Sequence, residues 1–97
     1  MLGSPGQSTL MTATKGFVSG EAAFDAAVEE ADAAINTGAL PASTVAKIHK
    51  AVDTGHGYIV AGRAAVIAGS ATTVEAEASA LTTLVSQIFA LIPAKKG

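Results

Sequence analysis

Two imidazoles and a carboxylate share one helical face of this chain, with His49, Asp53 and His56 at i, i+4 and i+7. Side chains of these types are ligands for zinc and other divalent ions. The two histidines, however, are two turns apart, about 10 Å along a helix axis, too far for one ion on an unbent rod. Asp53 lies between them and can join either, but no further ligand stands nearby and the chain has no cysteine. The triplet therefore reads as a polar stripe beside a packing seam, and neither a metal nor any other cofactor is expected.

A second constellation is acidic. Glu21, Asp25, Glu29, Glu30 and Asp32 follow one another with no lysine or arginine between Phe17 and Leu40. Paired carboxylates carry out acid–base chemistry when burial separates their pKa values. These five fall opposite the apolar stripe of their segment, which makes them a solvated face, with docking of a basic partner as the other use. Serine and threonine are frequent, yet neither a G-x-S-x-G nor a Ser-x-x-Lys pattern occurs. The run from Gly57 to Gly62 lacks the glycine and lysine spacing of a phosphate loop. No enzymatic activity is expected.

The scaffold that positions these residues is rich in small side chains. Of 97 residues, 22 are alanine and 10 glycine, against three phenylalanines and one tyrosine. Alanine favours helix but adds little bulk, so its helices must approach closely to bury anything. The net charge of −2, with six lysines and arginines in all, is too small and scattered for a phosphate-tracking surface; nucleic-acid binding is not expected. The absence of cysteine excludes disulfides, thiolate sites and a lipidated N-terminal cysteine. The first residues lack the basic start and unbroken apolar run of a secretory signal. The most apolar windows, 57–69 and 81–92, are 13 and 12 residues long, short of the roughly 20 needed to cross a bilayer.

Alternating β-branched runs are absent, and apolar residues recur instead at spacings of three and four. The pattern predicts an all-α, antiparallel up-down-up three-helix bundle with long helices at about 8–37, 41–68 and 72–92. Residues 1–7 and 93–97 form tails around a single domain at 8–92. The first helix carries Leu10, Ala13, Phe17, Gly20, Phe24, Ala27, Ala31 and Ala34 in strict alternation, with Ser8 as N-cap and Gly38 as a left-handed C-terminal residue. Gly16 and Gly20 are where it would break.

The second helix, opened by Pro41, carries Val45, Ile48, Val52, Gly55, Ile59, Gly62 and Val66. Glycine recurs every seven residues at 55, 62 and 69, which suggests close backbone approach by a neighbouring helix. The third runs from a Thr72–Glu75 capping box to Pro93, with Val74, Ala78, Leu81, Val85, Ile88 and Ile92 in one stripe and Leu84 and Leu91 beside it. Such a double stripe suits a central bundle helix or an oligomer contact. Gly55, Gly62, Gly69, Leu84, Ile88 and Leu91 are thus the candidate helix-packing seam for interaction. Folding the chain at its short turns places Asp32 near Lys47, Glu29 near Lys50, and Arg63 near Glu75 and Glu77.

From Asn36–Thr37–Gly38–Ala39–Leu40 into Val45, Ile48 and Val52, the sequence resembles a loose group of small alanine-rich helical proteins encoded by tailed bacteriophages and prophages. The likeness is one of layout over residues 10–92: helix, glycine turn, Ala/Gly-rich helix, short turn, Leu/Ile-rich helix. Many members look like exported lipoproteins with an N-terminal lipobox cysteine, from which this chain departs. The resemblance implies a phage-associated, non-enzymatic protein and carries over no functional residue. The expected role is a structural or assembly component of the virion, packing against itself as a homo-oligomer or against other virion proteins. The alternative is an accessory in the host cytoplasm or at a membrane, touching but not spanning it, in lysis, genome delivery or superinfection exclusion.

Overall fold

A computed structural model describes residues 5–92, with side chains from Thr9 onward. It contains three helices, α1 (Pro5–Asn36), α2 (Ala42–Ala68) and α3 (Ala71–Leu91), and no strand among the described residues. The arrangement is the all-α three-helix bundle that the periodicity predicts. It is elongated, 57 × 27 × 15 Å. α1 packs most extensively on α3, α2 packs on α3 next, and α1 and α2 approach each other least. α3 is therefore the central helix, as its double apolar stripe requires.

α1 runs unbroken through Gly16 and Gly20. Two exposed-helix glycines together cost about 2 kcal/mol, but Phe17, Gly20 and Phe24 are all buried here. Fully burying a large apolar side chain contributes about 1.5–3 kcal/mol each, enough to hold the helix through the weak stretch. The helix starts at Pro5 rather than after a Ser8 cap, so residues 5–7, expected in a tail, belong to α1; residues 1–4 and 93–97 lie outside the described ones.

Local signals set the turns. Gly38 and Gly69 sit at φ +73° and +75°, the left-handed region that glycine enters without a Cβ penalty. Gly69 N–H donates to the Val66 carbonyl at 3.1 Å, and Ser70 N–H to that of Ala65 at 2.9 Å. Pro41 is the residue just before α2, and its carbonyl accepts from Thr44 and Val45. α3 does not start at the Thr72–Glu75 box. Ser70 occupies the cap position two residues earlier, its hydroxyl donating to Thr73 Oγ1 at 2.9 Å. At the other end Ile92 is extended at φ −93°, ψ 128°, the conformation that a following proline imposes.

The core holds Phe17, Phe24, Ile48, Val74, Leu81 and Ile88, all fully buried, with Ala13, Ala27, Ala31 and Ala65 closing around them. Of the expected α2 stripe, Ile48, Gly55 and Gly62 are buried and Val45, Val52, Ile59 and Val66 half-buried; beside it Ala65 is buried and Ala51 and Tyr58 are half-buried. Its inward face thus holds the expected Ile48, Gly55 and Gly62 and extends past them to Ala65.

Candidate interaction surface

The glycine row does not bring two backbones together. A Cβ at Gly55 would overlap the Phe24 ring and stand 3.0 Å from Leu84 Cδ2, and one at Gly62 would overlap the Phe17 ring. The glycines are sockets for rings reaching from α1, which is why those two helices stand furthest apart. Gly69 has no part in the seam: it is exposed, a Cβ there would meet nothing within 4 Å, and it ends α2. Leu84 and Ile88 are buried in the core, and Leu91 is half-buried in a groove between α2 and α3. The seam residues other than Gly69 thus serve the fold internally. The small-residue contact lies elsewhere, where Gly20 faces Leu81 Cδ2, 3.4 Å from where a Cβ would stand. Seven residues to either side, Ala13 is level with Val74 and Ala27 with Ile88, all buried.

The charge pairs differ as well. Arg63 donates to Glu21 Oε2 at 2.7 Å, with Glu21 mostly covered and Arg63 mostly exposed. Glu21 therefore does not lie opposite the apolar stripe; it faces α2. Arg63 is on the α1-facing side of α2, away from Glu75 and Glu77, and Glu77 Oε2 is buried without a hydrogen-bond partner. Lys47 and Lys50 line the opposite groove, against Tyr58, Leu84, Gln87 and Leu91 of α2 and α3. They are level with Asp32 and Glu29 but on the wrong side of α2, and neither pair forms.

His49, Asp53 and His56 are all exposed. His56 lies edge-on to Phe24, ring centroids 5.6 Å apart at 73°, a favourable aromatic geometry. Among the described residues no three His, Asp, Glu or Cys side chains are grouped to hold a metal ion. His49 and Asp53 instead border a groove of about 410 Å³ with Val28, Asp32, Ile48 and Val52.

That groove has a counterpart further along the same two helices. Thr14, Phe17, Val18 and Glu21 of α1 and Arg63, Val66 and Ile67 of α2 enclose about 330 Å³. Both open on the α1–α2 face, which α3 does not cover. Val18 and Ile67 of the first lobe are 56% and 89% exposed, and Met11 and Val60, one heptad from them on α1 and α2, are 62% and 69% exposed. Each pair is spaced by seven on its own helix, and Val18 and Ile67 meet at the apolar lobe, so the strip runs from there along both helices. The sequence carries its signature in apolar doublets repeating every seven residues: Leu10–Met11 and Phe17–Val18, then Ile59–Val60 and Val66–Ile67. The first member of each doublet faces inward and the second outward.

Compared with known proteins, the chain matches no family model, no curated protein and no solved structure.

Proposed function

We propose that this chain is a non-catalytic assembly protein that works by helix-on-helix docking through its α1–α2 face. One observation carries the reading: of the five large apolar side chains exposed among the described residues, Val18 and Ile67 meet across the apolar lobe of this face, and Met11 and Val60 stand seven residues from them on the same two helices. Contiguous exposed apolar surface beyond a few hundred Å² marks interaction sites on soluble domains. The layout shared with small phage-encoded helical proteins supplies the setting, a virion or prophage-encoded assembly in which the partner is a further copy or another particle protein.

Membrane contact is the competing use of an apolar strip. No helix among the described residues is long and apolar enough to cross a bilayer, and the α1 carboxylates beside the strip disfavour anionic lipid. The test is a photo-crosslinking residue placed at Val18 or Ile67 and, as control, at exposed Ala76, in cells that make the protein. Discrete protein adducts from 18 and 67 but not from 76 are expected. Equal labelling from all three, or adducts to lipid alone, would overturn the reading.

A further inference from the structure

The two lobes of the α1–α2 groove lie on one line. The apolar lobe is centred near residues 14–21 of α1 and the polar lobe near 28–32, so they are about 14 residues, or roughly 20 Å, apart. A single helix laid along the groove reaches both when it is about 20 residues long, and it would stand where the fourth member of a four-helix bundle stands. Val28, Ile48 and Val52 form the apolar floor of the second lobe, so apolar contact continues past the strip.

The charges along the groove discriminate between occupants. Val18, Asp25 and Asp32 form one seven-residue row on α1, with Asp53 across the polar lobe on α2. Asp25, Asp32 and Asp53 make no ion pair among the described residues, whereas Arg63, the cation of the apolar lobe, is taken by Glu21. Among the described residues a second copy of this chain does not complement that pattern: α1 has one lysine at its front, Lys47 and Lys50 of α2 face the other groove, and α3 has no cation at all; Lys95 and Lys96 lie outside the described residues. Phosphate-bearing surfaces are repelled by the same carboxylates.

We infer that the groove receives an amphipathic helix from another protein, with a leucine-like stripe for both lobes and lysine or arginine beside it to meet Asp25, Asp32 and Asp53. This rests on the docking function proposed above and names its partner's chemistry. Apolar side chains entering the lobes hold the helix down, while the carboxylates select for cations beside its stripe.

The probe is a synthetic 21-residue leucine–lysine heptad helix, fluorescently labelled, with a leucine–glutamate helix of identical spacing as its counterpart. Fluorescence anisotropy at about 150 mM salt, where exposed charges beyond about 8 Å are screened, is expected to show saturable one-to-one binding of the lysine peptide only. Val18→Asp with Ile67→Asp should weaken it at least tenfold, and Asp25→Asn with Asp32→Asn about three- to tenfold, with a shallower salt dependence. Circular dichroism confirms that these surface variants stay folded. Equal binding of both peptides, or binding indifferent to Val18→Asp with Ile67→Asp, overturns the inference. Crosslinks from 18 and 67 to a helix without cations would overturn it while leaving the docking function standing; absence of such crosslinks removes the function itself.

Discussion

α1 meets its two neighbours by opposite devices. Toward α3 it presents Ala13, Gly20 and Ala27 at seven-residue intervals, and the bulk comes from the other side as Val74, Leu81 and Ile88. Toward α2 it presents Phe17 and Phe24, and the partner supplies emptiness as Gly62 and Gly55. Both seams pair large with small, but they differ in tolerance. An aliphatic end beside a glycine leaves room for a methyl group; a buried ring seated on a glycine leaves none. The α3 seam should therefore accept added bulk and the α2 seam should reject it.

The largest effect tests the ring seam by emptying it. Phe17→Ala removes a fully buried ring from a socket whose opposite wall is glycine, with no side chain to collapse into the hole. Large-to-small core changes of this kind cost about 3–5 kcal/mol, a large share of the stability of a domain this size. Urea titration of the variant should show that loss, and adding Gly62→Leu to Phe17→Ala should recover part of it. No recovery would mean that the socket is not a matched pair.

Next comes filling the socket from the other side. Gly62→Ala gains about 1 kcal/mol in helix propensity but forces a methyl group into the Phe17 ring, an overpacking that costs about 1–3 kcal/mol. A net loss of up to about 2 kcal/mol is expected, and Gly55→Ala should behave alike against Phe24. Thermal melts decide it, since each kcal/mol moves the midpoint by roughly 4–8 °C in a chain of this length. A rise in the midpoint for either variant would sink the socket account.

Much of this was legible before any coordinates. Three helices, their ends at Gly38 and Gly69 and the central place of α3 follow from local signals: left-handed glycines, a proline start and stripe width. Axial register was legible too, because a short hairpin leaves little freedom along the helix. Rotation about the helix axis was not. Lys47 and Lys50 are level with Asp32 and Glu29, yet α2 turns them toward Leu84 and Leu91, because seating two rings on Gly55 and Gly62 sets its roll more strongly than exposed charges do. The exposed strip was legible as well: the stripes turn Phe17 and Val66 inward, which leaves Val18 and Ile67 outward.

The aliphatic seam and open solvent give smaller effects of opposite sign. At Gly20 a Cβ meets Leu81 Cδ2 at 3.4 Å, within ordinary contact, and at exposed Gly57 it meets nothing within 4 Å. Gly57→Ala should stabilise by about 1 kcal/mol through helix propensity, and Gly20→Ala by somewhat less. The midpoints should rise for these two and fall for Gly55→Ala and Gly62→Ala. Four glycines in one molecule, sorted by sign, separate the two seams in a single set of melts.

The smallest effect concerns the polar closure of the α1–α2 face. Arg63 reaches Glu21 at 2.7 Å, but its side chain is 68% exposed against 18% for the carboxylate partner. Pairs open to water on one side contribute about 0–1 kcal/mol and weaken with salt. A double-mutant cycle of Glu21→Gln and Arg63→Gln should give a coupling within that range, fading toward zero at about 1 M salt. Coupling above about 2 kcal/mol that survives salt would mean the pair is a buried lock, making the ion pair rather than the phenylalanine rings the element that sets the roll of α2. The ring seam predicts the reverse order, with Phe17→Ala costing several times more than the whole cycle.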